Sequence, residues 1–380
     1  MVKLPPLSTA NLNLPNGIPT PNVLDPNGND YRVKWTEYIG NVMVDKVSLY
    51  INGQLIEEML GDYMQIYTDM YISDWNRKSM LGCTESLNRP NLRIESEIIY
   101  IPLRFWFCND IEKPLPLIAM QYCQIYIDVK FKSFNDCMSV LIKDDRDKLY
   151  HSDITHKVID IENVSLQANF FYLDLEERKE TATKEYEILI TQSQDRSVSL
   201  NTTYNIDLNF NNTIKDLIFY IQPYSNKIYG EYFNFTSRLK LPPPTLFPLT
   251  SNQYKLWDIA PQKHLLVRAR LLLNGIERIG WRDAKYFYNM QNHENYRNVL
   301  HSHVYLYSFN AYPTKDSNYC GCNFSRIENP QLQVEIVPDN LQLDTNLFLA
   351  TDSSYELKCL VTNFNFLVIK NGLAGLKYAN

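Results

Sequence analysis

A few groups of side chains in this sequence have the types and spacing for chemistry. His301-Ser302-His303 sets two imidazoles at i and i+2, on one face of a strand, where a pair can begin a metal site. No third ligand stands nearby, and a structural or exposed pair is the plainer reading. Cys320-Gly321-Cys322 brings two thiols together but lacks the second pair of a zinc knuckle and the Cys-x-x-Cys spacing of redox enzymes, so it reads as a loop. Asp144-Asp145-Arg146-Asp147, with His151, Asp153 and His156, could be drawn as a hydrolytic cluster. These types alone specify no nucleophile with an oriented base, and a solvated loop between strands accounts for them. Leu241-Pro242-Pro243-Pro244 could form a polyproline II ligand, although a rigid loop is the better reading. No GxxxxGK[ST] phosphate loop, HExxH helix or GxSxG elbow occurs. Catalysis therefore has no positive signal, no catalytic, cofactor-binding or metal residue is assigned, and no cofactor is expected.

The elements that must carry such side chains follow from composition. The chain has 380 residues and a net charge of -6, which offers no global positive field to hold a phosphate backbone. With 45% hydrophobic and 21% charged residues it lies inside the folding range, and its length admits about two domains. Tyr 27 and Phe 17 against only 12 Gly lean towards pleated, half-buried surfaces. No apolar run approaches the roughly 20 residues of a membrane span. Met1 to Pro6 has no apolar signal-peptide core, and Val2 stands where myristoylation needs glycine, so a soluble, unexported chain is expected. Seven scattered cysteines, an odd number, suggest reduced thiols, and the Asn-X-Ser/Thr triplets carry little weight without export.

Residues 1 to 27, with Pro15-Asn16-Gly17 and Pro26-Asn27-Gly28, lack periodicity and read as an arm or loop. Strands are expected at Val42–Val44, Val47–Ile51 before the Asn52-Gly53 turn, Ile98–Leu103, Gln124–Phe131 and Val164–Tyr172. Alternation over Gln124–Phe131 assigns Ile125, Ile127, Val129 and Phe131 to one face. Further strands are expected at Tyr204–Phe210, Asp216–Ile221, Leu265–Leu273, Val304–Phe309, Leu332–Ile336 and Cys359–Ile369. Helix is suggested only for Leu175–Glu180 and Ile56–Tyr67. Many short strands without long intervening helices indicate sandwiches or barrels rather than βαβ units.

Val47-Ser48-Leu49-Tyr50-Ile51-Asn52-Gly53-Gln54 is echoed by Ala269-Arg270-Leu271-Leu272-Leu273-Asn274-Gly275-Ile276. Each copy is followed by aromatics, Tyr63 to Tyr67 and Tyr286 to Tyr288. The same strand and turn thus occur once per half, with Glu176 to Lys184 as connector: an arm over 1–27, a first unit over 28–180 and a second over 181–380.

Ordered landmarks resemble one family. Pro102-Leu103-Arg104-Phe105-Trp106-Phe107, then Leu115-Pro116-Leu117-Ile118-Ala119-Met120-Gln121-Tyr122, are followed by Asp174-Leu175-Glu176-Glu177-Arg178-Lys179 and Tyr186-Glu187-Ile188-Leu189-Ile190-Thr191-Gln192. Phe210 to Phe219, Tyr305-Leu306-Tyr307-Ser308-Phe309, Cys322-Asn323-Phe324-Ser325-Arg326 and Ile369 to Leu376 complete the series. In this order they resemble the major capsid proteins of nucleocytoplasmic large DNA viruses, from about Trp35 to the last residue. Two departures stand out. The usual segment before Trp35 is replaced by Leu4 to Asp30, and Thr213-Ile214 stands where the family has Pro before Val.

The resemblance implies an all-β fold of two tandem eight-stranded antiparallel jelly-roll sandwiches, a double jelly roll with short helices in loops. It implies a non-enzymatic structural subunit that forms homotrimers, pseudo-hexagonal capsomers tiling the icosahedral shell of a double-stranded DNA virus. Expected partners are further copies of itself, minor capsid and penton proteins and inner membrane proteins, with no sequence-specific nucleic-acid binding. The expected location is the virion, after assembly in the host cytoplasm. The alternatives are a minor capsid paralogue and a carbohydrate-binding, lectin-like β-sandwich. Phe105 and Leu117 are candidate core positions, where alanine should cost roughly 2–5 kcal/mol. Removal of the residues before Asp30 is expected to leave the trimer intact but to weaken shell assembly.

Overall fold

A computed structural model describes residues 1–13, 30–72, 80–161, 163–200, 205–246, 248–259, 263–296, 303–311, 320–337 and 355–378. Strands of the first half are β1 (Val2–Leu4), β2 (Leu7–Ser8), β3 (Asp30–Trp35), β4 (Val44–Ile51), β5 (Gln54–Leu60), β6 (Arg93–Ile94), β7 (Glu97–Ile99), β8 (Ile125–Phe131), β9 (Met138–Lys143), β10 (Leu149–His151) and β11 (Asn163–Val164). Those of the second are β12 (Tyr186–Ser199), β13 (Asn205–Asp207), β14 (Thr213–Pro223), β15 (Leu266–Leu273), β16 (Ile276–Asp283), β17 (Tyr305–Ser308), β18 (Cys322–Asn323), β19 (Gln331–Ile336), β20 (Tyr355–Lys370) and β21 (Leu373–Leu376). Every ladder between them is antiparallel.

The second half is a sandwich of two sheets, β12-β20-β14-β17 and β13-β19-β15-β16, with β18 and β21 added to the first. Ile206, Ala269, Leu271, Leu332 and Val334 line the inner face of one sheet, and Leu217, Phe219, Leu357, Cys359 and Val361 that of the other. In the first half, β5-β4-β8 and β10-β9-β3 carry Val47, Leu49, Ile51, Val33, Trp35 and Val140 into a separate core. Short helices sit in the connections. The architecture is that of tandem jelly-roll sandwiches.

The sequence repeat has a physical cause. Ile51 pairs with Gln54 and Leu273 with Ile276, each closing a two-residue hairpin. Asn52 and Gly53 take φ of 52° and 76°, and Asn274 and Gly275 take 54° and 76°. Two consecutive left-handed residues match the right-handed twist of the flanking strands, which is why both turns read Asn-Gly.

The strand over Gln124–Phe131 alternates as expected, with Tyr126, Asp128 and Lys130 exposed and the apolar set turned inward. Helix covers Leu175–Thr183, started by an Asp174–Glu177 capping box, and Gly61–Tyr71, whereas Ile56–Leu60 belongs to β5.

Several expectations are corrected. Residues 1–13 are not a loose arm: Val2, Leu4, Leu7 and Leu12 are buried, and β1 is the middle strand of β11-β1-β7. Its run is too short to display a period, and long-range pairing, which no local pattern announces, sets its structure. Residues 14–29 lie outside the described residues. The strand over Val164–Tyr172 ends at Val164, and beyond it the chain is exposed. The one over Ile98–Leu103 ends at Ile99, ahead of Pro102, whose ring supplies no ladder donor.

Leu117 is likewise not a core residue. It is 45% exposed, because the tight turn Leu117–Met120 directs Ala119 and Met120 inward instead. Phe105 is fully buried and stacks on Phe107 at 5.5 Å. Phe105→Ala should therefore destabilise by about 3–5 kcal/mol, and Leu117→Ala by under about 0.5 kcal/mol, in urea titrations. Equal effects would contradict this assignment.

Candidate functional site

The residues with chemical potential serve structure. Asp144 Oδ1 accepts from the backbone N–H groups of Arg146 (2.9 Å) and Lys148 (2.8 Å), fastening the β9–β10 turn. His151 Nε2 lies 3.0 Å from Glu231 Oε1, both buried. Although burial would raise the Glu231 carboxyl, the contact with His151 and donation from the Lys240 backbone and Asn234 amide hold it below the usual carboxylate range. His156 reaches back to the Ser8 carbonyl at 3.0 Å, and Asp153 meets the Tyr229 hydroxyl at 3.4 Å. The cluster is thus spread over several clasps. The Pro242 carbonyl accepts from the His151 backbone at 2.8 Å, and Pro242 and Pro243 are buried, which fits a rigid loop.

His301 lies outside the described residues. His303 packs edge-on to His264 at 4.3 Å and stacks on Tyr288 at 5.6 Å. Cys320 is exposed and Cys322 half-buried in β18, while a Cβ on Gly321 would stand 2.4 Å from the Ile214 carbonyl oxygen. Among the described residues, no three His, Cys, Asp or Glu side chains are grouped to hold a metal, and no helix is long and apolar enough to cross a membrane.

Burial, then the neighbouring His264, lower the His303 pKa to about 4. Between about pH 6.5 and 4 the unfolded chain takes up a proton that the folded chain refuses, so stability falls as pH descends through that window. His303→Phe should shrink this fall, read as the difference in melting temperature between pH 7 and pH 5. An unchanged difference would contradict the burial effect.

The site that organises the molecule is the seam between the halves. β14 is buried along its whole length, on both faces. Leu217, Phe219 and Ile221 enter the core of the second half, while Ile218 and Tyr220 enter that of the first. β17 and β20 do the same, with Tyr305 and Val361 on one side and Leu306 and Leu360 on the other. Antiparallel sheets commonly leave one face to water and alternate accordingly. Here both faces are covered, which accounts for the unbroken apolar run Leu217-Ile218-Phe219-Tyr220-Ile221.

Polar groups fix the register of this apolar contact. Asp62, in the first turn of the helix Gly61–Tyr71, is paired with Lys358 Nζ at 2.6 Å and Lys132 Nζ at 3.7 Å. The Tyr220 hydroxyl donates to the same carboxylate at 2.9 Å. Burial alone would raise the Asp62 pKa; the two ammonium groups and the hydrogen bonds outweigh it and hold the carboxyl well below the usual range. Gln192 donates to the Ile56 carbonyl and accepts from Asn365 at 3.0 Å, all within the interior. Ser193 donates to the Glu58 carbonyl at 2.7 Å. Glu57 is buried at the same seam, and burial pushes its pKa well above the ordinary carboxyl value.

Several sequence landmarks meet along the second half and at this seam. The Asn212 backbone N–H donates to Ser325 Oγ at 2.8 Å, and the Phe324 N–H to the Asn212 carbonyl at 3.0 Å, joining two landmarks far apart in sequence. The Tyr122 N–H donates to the Gly372 carbonyl at 3.1 Å, and a Cβ on Gly372 would stand 2.5 Å from the Tyr122 ring. Asp62, Lys132 and Lys358 were missed in the sequence because a lone charge on an amphipathic element reads as solvated. A two-faced apolar strand was the available sign that something covered its second face.

Two sandwiches locked back to back define a double jelly-roll building block. The family model "Large eukaryotic DNA virus major capsid protein" matches residues 177–375, and "Major capsid protein N-terminus" matches residues 18–174. The chain belongs to this capsid protein family. It is 23% identical to the major capsid protein of Phaeocystis pouchetii virus, across 91% of this chain and 83% of that one. To the major capsid protein of Paramecium bursaria Chlorella virus 1 it is 26% identical, across 91% and 81%. The solved PBCV-1 virus capsid structure has the same fold, with a TM-score of 0.65 at 23% identity over 92% of this chain and 88% of that one.

Proposed function

We propose that this chain is the shell-forming subunit of a double-stranded DNA virus. It assembles as a homotrimer whose six jelly rolls present a pseudo-hexagonal outline, and these capsomers tile an icosahedral capsid. The jelly rolls divide at the helix Leu175–Thr183, giving units of 28–180 and 181–380, with residues 1–13 packed into the first. Minor capsid, penton and inner membrane proteins are the further partners, the completed virion is its location, and assembly takes place in the host cytoplasm. The role is structural, without catalysis or sequence-specific contact with nucleic acid.

The observation that carries this reading is the run of neighbouring strands β20-β14-β17, covered on both faces. A tile must hold its shape while many weak contacts are tested and corrected, and a hinge between two sandwiches would spread the geometry of every contact. The two-faced sheet with its Asp62 ion pairs removes that hinge. Class averages from electron microscopy of the purified protein should show three-fold particles with six lobes. Single two-lobed particles at micromolar concentration would overturn the proposal.

A further inference from the structure

The run Asn163-Val164-Ser165-Leu166-Gln167-Ala168-Asn169-Phe170-Phe171-Tyr172-Leu173 has no charged residue, in a chain that is 21% charged. It nevertheless lies on the surface. Val164, Leu166, Phe170, Phe171, Tyr172 and Leu175 are each between 55% and 94% exposed. β11 is the edge of the sheet β11-β1-β7, and the last bond along that edge is Ser165 N–H to the Met1 carbonyl at 3.0 Å. Among the described residues, the backbone groups of 166–172 make no internal hydrogen bond.

Sheet edges are ordinarily blunted with charges, proline or bulges so that they do not recruit neighbours. Residues 163–173 carry no charge and no proline. With a ring side chain offering roughly 150–250 Å², Phe170, Phe171 and Tyr172 expose roughly 400 Å² between them. The aliphatic side chains bring the strip to roughly 700 Å², close to the roughly 800 Å² each partner contributes to a standard interface and beyond what a monomer usually leaves bare.

We infer that residues 163–175 are the seat of a second copy of this chain, docked by burying Phe170, Phe171 and Tyr172 and by pairing with the backbone of 166–172. This rests on the self-assembly proposed above. The strip matches a copy of the chain in area, offers no charge over 163–173 for a charged ligand to select, its one carboxylate, Asp174, being engaged in capping the helix that follows, and is presented identically by every subunit. A strip received by a different surface of the next copy is a head-to-tail contact, and such contacts form a ring where the rotation closes.

The test compares the full-length wild type with the double variant Phe170→Asp/Phe171→Asp, whose altered side chains are exposed. The wild type should have the mass of three copies by light scattering, and the variant that of one, with an unchanged near-ultraviolet circular dichroism spectrum. Hydrogen exchange of amides 166–172 should be at least tenfold slower in the wild type. If the variant fails to fold, the wild-type exchange decides alone, since fast exchange in the assembled trimer overturns the inference. A variant that keeps the trimer mass overturns the inference while leaving the trimer standing. A monomeric wild type overturns both.

Discussion

A chain lacking residues 1–12 is expected to lose its native fold rather than merely assemble poorly. Val2, Leu4, Leu7 and Leu12 are 3%, 1%, 0% and 6% exposed. At about 1.5–3 kcal/mol for each buried aliphatic side chain, their removal withdraws roughly 6–12 kcal/mol, comparable to the whole stability of a typical domain. The backbone loss compounds this. Val2 pairs with both Ile99 and Val164, so deleting β1 separates β7 from β11. His156 also loses the Ser8 carbonyl that its Nε2 faces at 3.0 Å. The truncated chain should lack near-ultraviolet circular dichroism and a cooperative melt. A truncated protein that melts like the wild type would show that the amino-terminal strands contribute nothing.

Asp62→Ala should destabilise the protein by about 3–5 kcal/mol at pH 7, because it leaves Lys358 and Lys132 at the seam without their carboxylate. The Tyr220 hydroxyl loses its acceptor in the same step. The pH dependence has a definite sign. A carboxyl whose folded pKa lies below its unfolded value of about 3.9 contributes fully above that value. The contribution is lost as pH falls towards the folded pKa. Urea titrations of wild type and variant should therefore differ most from pH 5 upwards and converge below about pH 4. A gap that stayed constant into acid would mean that packing, and not the charge, accounts for the loss.

The sheet architecture was legible where local pattern and tertiary burial agree. Ile125, Ile127, Val129 and Phe131 alternate with exposed residues because one face of β8 meets the core and the other meets water. The Asn-Gly turns were legible because only a few residues tolerate two consecutive left-handed conformations. Where the cause lies far along the chain, local reading failed. Val2 to Leu4 is a strand because Glu97–Ile99 and Asn163–Val164 flank it, and three residues cannot display a period. Val164 to Tyr172 has the composition of a buried strand, yet among the described residues it has no backbone partner beyond Ser165. Such a segment is anomalous within one subunit and ordinary between subunits.

The seam was legible only in outline. The run Leu217 to Ile221 announces a strand covered on both faces, but nothing local says that the second cover is the first half of the same chain. Asp62, Lys132, Tyr220 and Lys358 come from four separate segments and carry no motif. His151 and His156 looked like chemistry because histidine near carboxylates has the right types for it. Three dimensions assign them to Glu231 and Ser8, as clasps.

The central claim is that the chain is a rigid double jelly-roll tile that associates in threes. Light scattering behind a sizing column, in reducing buffer at neutral pH, tests it most directly. Three copies of 44.6 kDa give a single compact species of about 134 kDa, the closed assembly expected here. A stable species of 44.6 kDa across micromolar concentrations would contradict it.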